Sequence, residues 1–145
     1  MKTFVAIGLL VMGLGIAPLS AQPSAPSPVA VDSSLLAPGL ALLPGDAVFS
    51  DDGNFMFLFQ DDGNLVLYGP GGPLWASGTD GTTFPGFVLM QLDGNLVIYN
   101  DDGNPIWASN TVGNDGAFLC VQNDGNVVIY NAGGSALWAT GTNVR

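Results

Sequence analysis

The sequence contains no histidine and no glutamate, a single cysteine at position 120, and only two basic residues, Lys2 and Arg145. Each scarcity closes a class of chemistry. Without His there can be no Ser-His-Asp triad, no Cys-His pair and no His metal site. With Cys120 alone, no disulfide can form within the chain. A glycosidase needs two carboxylates in divergent environments, and here nearly every Asp stands beside Gly or Asn, as turn residues do. The composition therefore argues against an enzyme, and nothing in it calls for a cofactor. Basic charge is also scarce: the formal net charge is −10. Such a surface repels phosphate backbones and anionic lipid, so nucleic acid and membranes are poor partners.

The one long apolar run is at the start, "MKTFVAIGLLVMGLGIAPLSAQ". A charged Lys2, an apolar middle from Phe4 to Ile16 and small residues ending at Ala21 have the layout of a secretory signal peptide over residues 1–21. The run is short for a bilayer span, and no lipobox cysteine stands at the cleavage site. Removal would take Lys2 with it and leave twelve Asp against Arg145, a formal charge of −11. The mature protein is then expected to be secreted and soluble, with no membrane insertion. Residues 22–35 form a Pro/Ala/Ser-rich stretch in which Pro23, Pro26 and Pro28 deny a helix or an inner strand. It reads as an extended linker. The folded part is expected over 36–145, beginning near Leu35 or Leu40, with "LLPGDAVFS" as its first turn and strand.

A repeat governs that folded part. "QDDGNLVLY" starts at Gln60, "QLDGNLVIY" at Gln91 and "QNDGNVVIY" at Gln122, a period of 31 residues. Each copy also carries a tryptophan, in "LWASGT" at Trp75, "IWASNT" at Trp107 and "LWATGT" at Trp138. A fixed period of this length marks a repeat architecture. Turn signals such as "SDDGN", "NDDGN" and "NAGGS" separate apolar runs of four to six residues rich in Val, Leu, Ile and Phe, which are strands. No segment holds a helical period. With about four short strands per copy, the reading is an all-β fold with three-fold pseudosymmetry.

The spacing within the motif has a chemical consequence. In one extended strand at ~3.3 Å per residue, Gln60 and Tyr68 would stand roughly 26 Å apart. A three-residue hairpin loop at Asp61-Asp62-Gly63 changes that, with Gly63 taking the left-handed position. Gln60 then lies opposite Asn64, Leu58 opposite Val66 and Met56 opposite Tyr68. Gln, Asn, Val and Tyr share one face with Asp62 at the turn, while Leu65 and Leu67 point to the core. Two amides, a carboxylate, a methyl patch and a phenol suit a pyranose, whose vicinal hydroxyls each donate and accept. Hairpin and strand preferences alone account for Asp, Asn, Val and Tyr. They do not account for Gln at three matching positions, nor for a motif kept while other turns of the same chain drift.

Other readings are weaker. "DDGN" resembles part of an Asp-rich calcium loop, but an EF-hand loop requires a Glu in twelfth place and the chain has none, so no metal is expected. Three Trp at equivalent positions are expected to meet near a three-fold axis as core, with a sugar-stacking platform as the alternative. Cys120 falls where the other copies have Leu58 and Leu89, and is expected to be a small buried apolar residue.

The triplicate Gln-x-Asp-x-Asn-x-Val-x-Tyr motif resembles that of the bulb-type, or monocot mannose-binding, lectins, over about residues 36–145. The resemblance implies a type II β-prism of three four-stranded antiparallel sheets with Trp at the centre. It implies calcium-independent binding of α-mannose, without catalysis. Asp62, Asp93 and Asp124 would bind the axial O2 together with Asn64, Asn95 and Asn126. Gln60, Gln91 and Gln122 would reach O3, and Tyr68, Tyr99 and Tyr130 would reach O4. Val66, Val97 and Val128 would pack on ring carbons. Partners would be mannose-containing glycans or glycoproteins, and a homodimer through exchanged C-terminal strands is allowed. Many relatives have an intradomain disulfide, and here Cys120 is alone. The rival reading is a lectin-like bacteriocin or a defence or interaction protein that uses the prism for protein contacts. Three complete motifs speak for the lectin.

Overall fold

The structure is a computed structural model that describes residues 34–82 and 84–144, together with the backbone of Val5–Gly8 and Val29–Ala30. The remainder of the expected signal peptide and linker lies outside the described residues. Among the described residues there is no helix. The strands are β1 (Val5–Gly8), β2 (Val29–Ala30), β3 (Leu35–Leu36), β4 (Leu40–Leu42), β5 (Ala47–Phe49), β6 (Met56–Phe59) and β7 (Leu65–Gly69). They continue with β8 (Gly72–Ala76), β9 (Pro85–Met90), β10 (Leu96–Asn100), β11 (Pro105–Ala108), β12 (Phe118–Val121), β13 (Val127–Tyr130) and β14 (Ala136–Ala139).

Three antiparallel sheets enclose one core. The first has the order β5-β6-β7-β8 and uses consecutive strands. The second runs β11-β10-β9-β4, and the third β14-β13-β12-β3. These are the three four-stranded sheets of a β-prism. The second is prolonged past β4 by the backbone strands β1 and β2.

The expectation that each copy supplies about four strands needs correction. Only the first does. The second and third supply three each, and the fourth comes from the N-terminal segment: Leu42 pairs with Val88 in the second sheet, and Leu36 with Leu119 in the third. The segment passes from one sheet to the other at Ala37-Pro38-Gly39. There Leu40 N–H donates to Ala37 C=O at 3.1 Å and Gly39 N–H to Met90 C=O at 2.6 Å. Pro38 cannot donate to a ladder and Gly39 takes a φ of 83°, so the strand breaks here. Strand β3 and the start of β4 therefore precede "LLPGDAVFS" in the sheets.

Alternation sets what faces the axis. Leu65 and Leu67, Leu96 and Ile98, and Val127 and Ile129 are fully buried, and Phe57, Phe59, Met90 and Leu119 fill the space between them. Each such side chain contributes on the order of 1.5–3 kcal/mol by leaving water. The indoles close one level of this core: Trp75, Trp107 and Trp138 meet edge to face with centroids 5.5–5.7 Å apart. Edge-to-face packing sets the positive rim of one ring on the negative face of the next. Trp is therefore core, as expected, although each indole is only partly buried.

A β-bulge recurs at the same place in all three sheets. Leu67 pairs with Trp75 but Tyr68 with Pro73, Ile98 with Trp107 but Tyr99 with Pro105, and Ile129 with Trp138 but Tyr130 with Ala136. The extra residues are Leu74, Ile106 and Leu137. A bulge re-aims the side chains beside it. Here each Trp pairs with a core-facing residue, while the neighbouring Tyr stays on the outer face.

Candidate functional site

The three motif hairpins take the register expected of them. Met56 pairs with Tyr68 and Leu58 with Val66, and Gln60 N–H donates to Asn64 C=O at 2.8 Å. Leu89 pairs with Val97 and Cys120 with Val128 in the same way. Gly63, Gly94 and Gly125 close the turns at φ of 88°, 91° and 90°. Asp62 Oδ1 accepts the backbone N–H of Asn64 at 2.9 Å, and Asp93 and Asp124 repeat this with Asn95 and Asn126 at 3.0 and 2.9 Å. Each carboxylate thus caps its own turn and stands beside the outer face of the hairpin.

The outer face gathers the remaining motif residues. Gln60 Nε2 donates to both oxygens of Asp62 at 3.1 Å, and Gln91 Nε2 to both oxygens of Asp93 at 3.0 and 3.1 Å. In the same two sites Tyr68 and Tyr99 donate their hydroxyls to Gln60 Oε1 and Gln91 Oε1. A chain of Tyr, Gln and Asp therefore runs across each face. The third site departs from this. Gln122 turns its Nε2 to the Tyr130 hydroxyl at 2.8 Å, and no Gln bond reaches Asp124. The tyrosine rings are backed across the strands by Met56, by Phe87 at 5.1 Å from Tyr99, and by Phe118 at 5.9 Å from Tyr130. Burial, and after it the negative charge of Asp93, pushes the Tyr99 phenol up, so it remains a hydrogen-bond donor at neutral pH.

Two types of expected site residue are partly taken up by the fold. Val66, Val97 and Val128 are only 3 % exposed, so they form a methyl floor under neighbouring side chains. The amide carbonyls of Asn64, Asn95 and Asn126 are committed to the protein. Asn64 Oδ1 accepts Ser77 Oγ, Gly78 N–H and Thr79 N–H at 3.1, 3.0 and 3.2 Å. Asn126 Oδ1 accepts Thr140 Oγ1, Gly141 N–H and Thr142 N–H at 3.1, 2.9 and 3.3 Å. Asn95 holds Ser109 Oγ and Thr111 N–H at 3.2 Å each. Only the Nδ2 end of each Asn is left to meet a ligand.

These partners are residues that sequence reasoning missed. Thr79, Thr111 and Thr142 each donate Oγ1 to the carbonyl of the motif glycine, Gly63, Gly94 or Gly125, at 2.6 Å. They tie the loop after each Trp to the turn that carries the Asp. The signal was present in "WASGT", "WASNT" and "WATGT", where a hydroxyl residue follows Trp at the second and fourth places in every copy.

The arrangement presents, three times, a carboxylate that accepts, an amide NH2 that donates, and a phenol and a Gln that do both, above an apolar floor. That is a surface for neutral vicinal hydroxyls. Among the described residues no group of three or more His, Cys, Asp or Glu could hold a metal ion. Cys120 lies half-buried on β12, and burial pushes its thiol up.

No protein-family model matches the chain. Among curated proteins, the mannose-specific lectin of Galanthus nivalis is 46% identical over 65 residues, 45% of this chain and 40% of that protein. The chain spans less than half the length of the curated relatives it matches. Solved structures align more fully. A monomeric monocot mannose-binding lectin from Gastrodia elata is 45% identical with a TM-score of 0.71, the match covering 77% of this chain and 100% of the other. The snowdrop mannose-specific agglutinin, complexed with methyl-α-D-mannoside, is 44% identical with a TM-score of 0.62, over 78% of this chain and 100% of the other.

Proposed function

The chain belongs to the bulb-type, or monocot mannose-binding, lectin family, and from that premise we propose that it binds α-D-mannose and mannose-containing glycans at three sites without catalysis. In each site the carboxylate of Asp62, Asp93 or Asp124 and the Nδ2 of Asn64, Asn95 or Asn126 take the axial hydroxyl on C2. Gln60, Gln91 or Gln122 takes the hydroxyl on C3, and Tyr68, Tyr99 or Tyr130 that on C4. Val66, Val97 or Val128 lies as the floor beneath the ring carbons.

One observation carries the reading. In every copy the Asn carbonyl is spent on the fold, its NH2 makes no bond to another described residue, and the backbone N–H of the same Asn is held by the carboxylate two residues before it. A free donor next to a charged acceptor, three times over, matches one hydroxyl group that must both donate and accept. The partners we propose are glycans and glycoproteins. The layout of the N-terminal stretch supports export to an extracellular or periplasmic space.

Four or five hydrogen bonds at a net ~0.5–1.5 kcal/mol each, less the cost of immobilising the sugar, put the Kd for free mannose on the order of millimolar. Titration calorimetry with methyl α-mannoside, with and without a chelator, tests the reading. Binding at three equivalents that the chelator leaves unchanged supports it. No heat, together with no retention on a mannose column, overturns it.

A further inference from the structure

The three sites share their polar residue types but not the residues that flank them. Two positions flank each Asp turn along the chain. One is the residue just before the Asp, and the other is the residue just after the Thr that clamps the turn glycine. At the first site these are Asp61 and Asp80, at the third Asn123 and Asn143, and at the second Leu92 and Val112. The hydroxyl of each Thr holds the turn at 2.6 Å, so the following residue is fixed beside it. In the second site Gly113 N–H also reaches the Asp93 carbonyl at 2.9 Å, and in the third Val144 N–H reaches that of Asp124 at 2.5 Å. Leu92 and Val112 are 56 % and 64 % exposed, respectively. Turn tips elsewhere in the motif carry Asp or Asn, so an apolar pair here runs against the cost of wetting it. Leu92 also leans on the Pro38-Gly39 turn, its Cδ2 lying 3.4 Å from where a Cβ on Gly39 would stand.

We propose that the second site selects α-mannosides whose anomeric substituent is apolar, and that the first and third do not. The inference rests on the mannose reading above. There the Asp takes the hydroxyl on C2, and C1 is bonded to C2. The group attached at C1 therefore leaves the sugar at the Asp end of the site and passes over the rim. At Asp93 that rim is Leu92 and Val112, which lose exposed apolar area to a covering group. At Asp62 it is two carboxylates, and at Asp124 two amides, which must give up water to the same group.

The test compares methyl α-mannoside with phenyl α-mannoside by NMR titration, reading the ring signals of Tyr68, Tyr99 and Tyr130 separately. Expected is a phenyl preference of roughly three- to ten-fold at Tyr99, and less than about two-fold at Tyr68 and Tyr130. The double variant Leu92→Asp/Val112→Asp should remove the preference at Tyr99, read as the ratio of phenyl to methyl mannoside affinity. The reciprocal Asp61→Leu/Asp80→Val should install it at Tyr68, and this second variant decides the matter if the first does not fold. An equal phenyl effect at all three tyrosines, or a preference at Tyr99 that survives the Asp pair, overturns this proposal alone, with the mannose sites intact. Failure of methyl α-mannoside to shift any tyrosine overturns the mannose reading and this proposal with it.

Discussion

Oδ1 of Asn95 accepts the backbone N–H of Thr111 at 3.2 Å, joining the Asp93 turn to the loop that follows Trp107. One side chain therefore serves the fold with its oxygen and, in the reading above, the sugar with its nitrogen. The two halves can be separated. Asn95→Asp keeps the acceptor and removes the NH2. It should shift Tm little and abolish binding at the second site. Asn95→Ala removes both, leaving Ser109 and Thr111 without their acceptor, and should cost about 1–3 kcal/mol as well. Urea unfolding alongside calorimetry distinguishes the two. Retained binding in folded Asn95→Asp would take Asn95 out of the site.

Asp93→Asn probes the charge in the same way. Asn is as good a turn residue as Asp, and its Oδ1 can still accept Asn95 N–H, as Asp93 does now at 3.0 Å. The new NH2 faces the NH2 of Gln91, which at present donates to both carboxylate oxygens. Tm should stay within about 2 °C, a shift that corresponds to well under 1 kcal/mol for a domain of this size. Sugar stoichiometry should fall from three equivalents to two. Three equivalents on the folded variant would show that this carboxylate is not a ligand.

Discrimination between sugars follows from the same group. An axial hydroxyl on C2 meets Asp and Asn together, and glucose turns that hydroxyl equatorial. A carboxylate left short of its donor costs about 1–3 kcal/mol, so methyl α-glucoside should compete roughly ten-fold or more worse than methyl α-mannoside. Equal competition in a displacement titration contradicts the role assigned to Asp62, Asp93 and Asp124.

The hairpins could be read from the sequence because their determinants are local. Gln60, Gly63 and Asn64 fix a turn, the turn fixes the register, and the register decides that Leu65 and Leu67 go inward while Tyr68 goes outward. Cys120 fell into the place of Leu58 and Leu89 by the same counting. What could not be read is non-local. Leu36 and Leu42 sit in short apolar runs that look alike, and nothing near them says that one belongs beside Leu119 and the other beside Val88. The bulge at Leu74, Ile106 and Leu137 was equally hidden, because it is a mismatch between two strands and is written in neither alone. The bonds of the Asn carbonyls were hidden for a related reason: their partners lie 13 to 16 residues along the chain.

Ser50 links a turn outside the motif to the third site, and it sets a pH dependence. Its Oγ donates to Asp52 Oδ1 at 2.6 Å and accepts Phe55 N–H at 3.0 Å, while Asp52 N–H donates to Asn123 Oδ1 at 3.1 Å. The Ser50 hydroxyl, followed by the Asn54 amides, holds the Asp52 carboxyl below its ordinary 3.8. A pKa lowered on folding stabilises the folded state fully above that ordinary value, and the contribution is lost as pH falls through the folded value. Ser50→Ala should raise the Asp52 pKa toward 3.8, seen in carboxyl-carbon NMR titration. It should also cost about 1–2 kcal/mol at neutral pH by leaving Phe55 N–H unpaired in a buried place. An unchanged Asp52 titration would show that the hydroxyl does not hold it.

Gly94 and Gly103 form a matched pair for the turn geometry. Both have left-handed backbones, at φ of 91° and 81°. A Cβ on Gly103 meets nothing within 4 Å, whereas one on Gly94 lands on the backbone carbonyl of Asn114. Substitution by Ala therefore carries the same conformational strain at both, about 1–2 kcal/mol, and an added collision only at Gly94. That collision has no cheap escape, because Asn114 is itself pinned by its N–H to the Asp93 carbonyl at 3.1 Å. Gly103→Ala should lower stability by about 1–2 kcal/mol and leave all three sugar equivalents. Gly94→Ala should cost at least about 1 kcal/mol more and weaken the second site, since the loop that must yield is the one carrying Val112. Urea midpoints for the two variants give the comparison directly. Equal losses would mean that the approach of Asn114 to Gly94 is slack, and that the second site does not depend on it.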